Sequence, residues 1–206
     1  MKKELLIDLV KGIFAGTMIG IGGTVYLNSA NSFIGACLFS VGLLTICIYK
    51  MNLFTGMVGY ILINKKSYIL KLISTIIGNF IGTFICALGI TFTRISTISS
   101  KARNLVDIKI NDNYLSVFIL AIFCGILMYF AVNGYKKLND FSRFIIVYLG
   151  VVVFILCGFE HCIANMYYFS VADVWSLNTL GYVGIMILGN SLGAFILPLF
   201  NLYIKD

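Results

Sequence analysis

The sequence predicts an all-α integral membrane protein with six transmembrane helices, arranged as two inverted three-helix repeats. Helices 2 and 5 are expected to break near the bilayer midplane. Three observations carry this reading. Hydrophobic residues make up 60% of the 206 positions and charged ones only 11%, against about 25% charged in soluble domains. Two apolar segments, residues 33–63 and 143–171, would be about 46 and 43 Å long as straight helices at about 1.5 Å per residue. Both overshoot a hydrocarbon core of about 30 Å. Short motifs also recur between the two halves in the same order.

The first span covers about residues 9–27. Lys11 opens it, and glycines follow at 12, 16, 20, 22 and 23. Small residues three or four apart let helix backbones approach closely in lipid. The second segment contains Lys50, Asn52 and Thr55 within KMNLFTG, and a break is predicted there. One strongly tilted helix with a snorkelling lysine is the alternative. The third span, about 69–93, contains GNFIGTFI at 78–85. Residues 94–113 read as one long polar connection carrying Lys101, Arg103 and Lys109. The fourth span, 114–132, leads into a charged link at 135–143.

The fifth segment is interrupted by GFEHCIANM at 158–166, where Glu160, the single histidine His161 and Asn165 stand between apolar runs. Ionisable groups at membrane depth are costly, and by default they mark a site or pathway. A break at Gly158 lets them face protein or water. Glu160 is expected to cap backbone amides or pair with a donor rather than touch a permeant, because a bare carboxylate in a lumen favours cations. Asn165 suits satisfaction of freed backbone groups. Trp175 reads as an interfacial anchor, and the sixth span, about 177–202, contains GNSLGAFI at 189–196.

GNFIGTFI pairs with GNSLGAFI, and IFAG at 13–16 pairs with IFCG at 122–125, with the broken segments between them. The chain therefore reads as a single membrane domain, 1–206. Repeat one covers about 9–93, the outer loop about 94–113 and repeat two about 114–203. An odd number of spans per repeat inverts the second, and inverted repeats with discontinuous helices place a site near the midplane.

With the N-terminus inside, the inner side receives Lys2, Lys3, Lys11, Lys65, Lys66, Lys71, Lys136, Lys137, Arg143 and Lys205. The outer side receives Arg94, Lys101, Arg103 and Lys109. This bias predicts a multi-pass protein of the cytoplasmic membrane with both termini cytoplasmic. It also explains the net charge of +7 without nucleic acid as a partner. The start, MKKELLIDLVK, lacks the pattern of a cleavable signal peptide. Six cysteines in apolar stretches without CxxC spacing read as buried small hydrophobes rather than metal ligands, so no cofactor is expected.

The residue order at 158–166 resembles the fifth-helix signature of the formate/nitrite transporter family, Gly-Phe-Glu-His followed by small residues and Asn-Met. Phe39-Ser-Val-Gly-Leu43 and Asn52-Leu-Phe-Thr-Gly56 look like the family's FxxGL and ELFTG. GNxxG occurs in spans three and six, and AIFCGILMYFAV at 121–132 is similar to the family's AILCNWLVCLAV. The resemblance implies an aquaporin-like six-span protomer with its own pore, assembled as a homopentamer in the lipid bilayer. It places paired constrictions at Phe39, Leu43 and Phe154, a pore threonine at Thr55, a central histidine at His161, and vestibule lysines at Lys11 and Lys109. Two departures stand out: the family's Gly-Ala-Glu is Lys50-Met51-Asn52 here, and its fourth-helix Asn is Gly125.

The function implied is a channel or channel-like transporter for a small monovalent anion or its conjugate acid, of the formate, nitrite or hydrosulfide type. Lys11 and Lys109 would concentrate anions at the two mouths. Phe39, Leu43 and Phe154 would form steps that a bare anion crosses at high cost. Thr55, His161 and half-helix N-termini would supply donors and positive potential between them. A non-transporting sensor or assembly subunit is one alternative. An intramembrane enzyme using Glu160 and His161 is another, opposed by the single histidine and the lack of a metal set or nucleophile motif. The chain is not expected to be an enzyme.

Overall fold

The structure, a computed structural model, describes residues 2–204, without the side chain of Lys2. Lys205, counted above toward the inner charge, lies outside the described residues. Among those residues the chain is entirely helical: α1 (Lys2–Asn28), α2 (Ser32–Ile48), α3 (Phe54–Met57) running into a 3₁₀ segment (Val58–Ile63), α4 (Tyr68–Thr91), α5 (Ile98–Ile110), α6 (Tyr114–Lys137), α7 (Ser142–Leu156), α8 (Cys162–Ala172) and α9 (Leu177–Tyr203). Four helices, α1, α4, α6 and α9, are long and apolar enough to cross a membrane, while α2, α7 and the α3–3₁₀ unit are shorter apolar pieces.

The outer surface shows the reversed polarity expected of a membrane protein. On α4, Ile69, Ile73, Ile77, Phe80, Phe84 and Leu88 are exposed, whereas Leu72, Thr75, Asn79 and Thr83 are buried. Both sets recur at helical spacing, so an apolar stripe faces outward and hydroxyl and amide groups face inward.

Two tight helix pairs frame the molecule. α1 lies against α4 so closely that a side chain at Gly12 would meet the Thr75 carbonyl at 2.7 Å, and one at Gly16 would strike the Asn79 carbonyl. α6 lies against α9 the same way, with Gly189 over the Phe118 carbonyl at 2.7 Å and Gly125 over that of Asn190. Gly125, where the family pattern has Asn, thus repeats the close approach made by Gly16.

Both long apolar segments break. After α2, the Met51 amide donates to the Ile46 carbonyl (3.0 Å); after α7, the Phe159 amide donates to that of Phe154 (2.9 Å). Each bond spans a left-handed residue, as at a glycine-capped helix end. That residue is Gly158 (φ 67°) after α7 but Lys50 (φ 52°) after α2. The family pattern has glycine at position 50, so a lysine here holds a conformation that costs an L-residue about 1–2 kcal/mol.

One end of the molecule gathers the start of α1, residues 64–71 and the α6–α7 link around two cavities. The other end gathers Ser29, α5 and the start of α9, where Lys101 donates to the Ser29 carbonyl (3.2 Å) and Tyr182 to those of Ile110 (2.8 Å) and Asp112 (2.9 Å). Trp175 packs edge-on against Phe80 and Phe169.

Residues 94–113 are not simply a polar connection. Thirteen of them form α5, which buries Ile98, Ala102, Val106 and Lys109 along one face. Those positions recur at four-, four- and three-residue steps, the spacing of an amphipathic helix. Their signal is diluted by the Ser, Arg and Asn residues between them.

Candidate functional site

The two breaks meet in the middle of the fold, and a buried asparagine holds each. From α4, Asn79 accepts from the Phe54 amide (2.9 Å) and donates to the carbonyls of Gly12 and Asn52 (both 2.9 Å). From α9, Asn190 accepts from the Cys162 amide (2.9 Å) and donates to the carbonyls of Ala121 and Glu160 (both 2.8 Å). Each satisfies two backbone groups that the break leaves orphaned in an apolar setting, an amide and a carbonyl, and ties them to a carbonyl of a neighbouring continuous helix. The GNxxG repeats carried these asparagines in plain view, and their spacing from the breaks assigns the role once the fold is known.

His161 is 2% exposed and Thr55 fully buried, and they join across the breaks with Thr55 Oγ1 2.9 Å from His161 Nε2. The other ring nitrogen, Nδ1, accepts from the Ala164 amide (3.0 Å), making His161 the N-cap of α8. A nitrogen that accepts from a backbone amide carries no proton, so the neutral ring bears its proton on Nε2. Nε2–H then donates to Thr55 Oγ1, and the threonine's own proton is left to point elsewhere.

The ring stacks on Phe154 (5.4 Å between centroids), and Phe154 meets Phe39 edge-on (5.8 Å). Leu43 is buried in the same core. The structure therefore brings Thr55, His161, Phe39 and Phe154 together, a polar pair beside an aromatic one.

Three amides at the half-helix N-termini are already taken: Asn79 accepts from that of Phe54, Asn190 from that of Cys162 and His161 from that of Ala164. The helix starts also contribute dipole potential. α3 is only four residues long.

Glu160 is 4% exposed and lies beside the histidine without touching it. Its carboxylate accepts from Lys109 at 2.9 and 2.7 Å and from Asn165 Nδ2 at 2.8 Å. Asn165 also donates to the His161 carbonyl (3.1 Å). Lys109, expected at an open mouth, is instead 8% exposed and locked in this pair. Its charge is committed to Glu160, because a lone carboxylate at this depth would be far costlier than a paired one.

The first break carries a different set. Asn52 donates to Asp8 (2.8 Å), and Asp8 also pairs with Lys71 (3.3 Å). Lys11 is exposed, and its carbonyl accepts from the Asn52 amide (3.4 Å). The sequence singles out neither Asp8 nor Lys71 as a partner of the break: Asp8 sits in no motif, and Lys71 counts there only toward the inner charge. Lys50 is exposed beside a cavity of about 670 Å³ that reaches inward to Leu53 and Gly56, the turn that carries Thr55.

The formate/nitrite transporter family model matches residues 1–204. The chain is similar to the formate-nitrite transporter of Plasmodium malariae, 29% identical over 201 residues that cover 81% of this chain and 64% of that one. It is also similar to the formate channel FocA of Haemophilus influenzae, 24% identical over 84% of this chain and 72% of the other. The chain thus spans 64% of the length of the Plasmodium relative. Among solved structures, a pentameric formate channel with formate bound shares the fold, with a TM-score of 0.86 at 23% identity, covering 100% of this chain and 98% of that one. A match over almost the entire length, with both breaks in place, makes this chain a member of the formate/nitrite transporter family.

Proposed function

We propose that the protein is a channel or channel-like transporter for a small monovalent anion or its conjugate weak acid, of the formate, nitrite or hydrosulfide type. On this reading, six segments cross the cytoplasmic membrane as two inverted three-span repeats. Both termini are cytoplasmic, and five protomers assemble with one pore each. Family membership and the fold shared with a pentameric formate channel support it.

The observation that carries the proposal is the hydrogen bond between Thr55 and His161, set against the Phe39–Phe154 pair. A bare anion meets a large desolvation cost at the aromatic step. At the polar step, the Thr55 hydroxyl accepts from His161 and keeps its own proton for an arriving anion. Donation from Thr55 strengthens as His161 polarises it, since hydrogen bonds in series reinforce one another. A weak-acid anion that takes its proton from water crosses the aromatic step as the neutral acid, and the hydroxide left behind is neutralised in the bulk solvent. Glu160 takes no part in contact; paired with Lys109 and Asn165, it holds the break in position.

The test is flux of formate, nitrite, hydrosulfide and chloride through purified protein in proteoliposomes. Saturable or pH-dependent passage of weak-acid anions, with chloride excluded, is expected. Passage of none of them refutes the reading. Sidedness is tested separately by labelling single cysteines at positions 103 and 136 in a background without native thiols. External labelling at 136 in intact cells contradicts the proposed orientation.

A further inference from the structure

The cavity at the first break holds more positive charge than one monovalent anion needs. Its volume is about 670 Å³, and Lys50, Lys71, Lys136 and Arg143 line it with no Asp or Glu among its lining residues. Lys71 reaches Asp8. Among the described residues, none of the other three has a carboxylate within salt-bridge distance.

Aromatic groups fix two of these cations without neutralising them. Lys136 Nζ stands 4.3 Å from the centre of the Tyr60 ring. The Arg143 guanidinium lies 4.5 Å over Tyr135 and donates to its hydroxyl at 2.7 Å, while its Nε is buried without a partner. Lys50 adds a third positive group from a left-handed backbone position that glycine fills at the matching break. Gathering like charges and retaining a strained residue both cost stability, and such costs concentrate at ligand sites.

We infer that this cavity binds a compact multivalent anion, a small molecule with two or three carboxylate or phosphate groups. Such an anion neutralises several cations at once, and the volume suits a small organic ligand. Its size and charge bar it from the Phe39–Phe154 step, so it plugs the pore from this side. The blocking effect rests on the channel reading, whereas the binding does not.

The test is calorimetric titration of the detergent-purified full chain with citrate, pyrophosphate and acetate at one fixed ionic strength. Saturable binding of citrate or pyrophosphate is expected, with acetate weaker by about a hundredfold. The arm that saturates tells carboxylate from phosphate. Lys50→Gln and Lys136→Gln, both exposed side chains, should each weaken binding about tenfold, the scale of one lost charge contact. Lys101→Gln, at the opposite end, should leave it unchanged. Acetate binding as tightly as both multivalent anions, no saturable binding, or indifference to Lys50→Gln and Lys136→Gln overturns the inference. A chain that binds citrate in this way but passes no small anion contradicts the channel proposal alone. A conducting chain without saturable binding contradicts the present inference alone.

Discussion

The two breaks share a scaffold and differ in chemistry. Each follows a left-handed residue, runs through extended backbone and is clamped by an asparagine from a partner helix. At the first, the residue before the short helix is Leu53, which caps nothing; at the second it is His161, whose ring caps α8. One position earlier, Asn52 faces the half-exposed Asp8–Lys71 group, and Glu160 faces the buried Lys109. One break was left to an apolar residue with a hydroxyl two positions on, while the other received the titratable group. The matched turns and clamps make the frame, and the differences at matched positions make the chemistry.

The largest effect should separate the two ion pairs. Lys109 and Glu160 side chains are 9% and 5% exposed, against 39% and 13% for Lys71 and Asp8. Lys109→Met strands a buried carboxylate and should cost about 3–5 kcal/mol, whereas Lys71→Met should cost under about 1 kcal/mol. Adding Glu160→Gln to Lys109→Met should restore much of the loss. Thermal unfolding in detergent reads all three, and equal costs for the two lysines would erase the contrast drawn here.

Next come the clamps. Asn79→Ala and Asn190→Ala each remove three buried hydrogen bonds, worth about 1 kcal/mol apiece, so each variant should lose about 3 kcal/mol. Because the bonds match one for one, the two losses should agree within about 1 kcal/mol, as judged by the same unfolding measurement. A clamp that proves dispensable would show that its break is held by packing instead.

The smallest effect concerns the two left-handed residues. Gly158 has open space where a side chain would go, so Gly158→Ala should cost only the backbone strain, about 1 kcal/mol. Lys50→Gly should gain a similar amount by relieving it. Chemical denaturation of the paired variants checks the opposite signs; a loss in Lys50→Gly would mean that the lysine makes contacts worth more than the strain.

Much of this was legible in the sequence. Excess segment length and misplaced polar residues located both breaks, because neither feature tolerates a straight span. The motif GFEHCIANM placed His161, Glu160 and Asn165, and the structure joins the latter two. Lys109 was misplaced because charge type is readable from sequence but depth is not. Its burial depends on α5, a short helix whose apolar face (Ile98, Ala102 and Val106, flanked by Leu105 and Ile110) alternates with Ser, Lys, Arg and Asp residues. Asp8 became visible only when α1 met the first break, a contact 44 residues apart in the chain.

The central claim is that His161 lies on the path and acts through its ring. The most direct measurement is weak-acid flux between pH 5 and 8 in proteoliposomes for wild type, His161→Asn and His161→Phe, each confirmed to assemble. Asparagine is a good N-cap and keeps α8 anchored while removing the imidazole N–H that polarises Thr55. His161→Asn should conduct with a changed pH dependence, because the chain of donors that meets the weak-acid anion is altered, and His161→Phe, lacking both cap and donor, should be silent. Wild-type flux with an unchanged pH profile in both variants would contradict it.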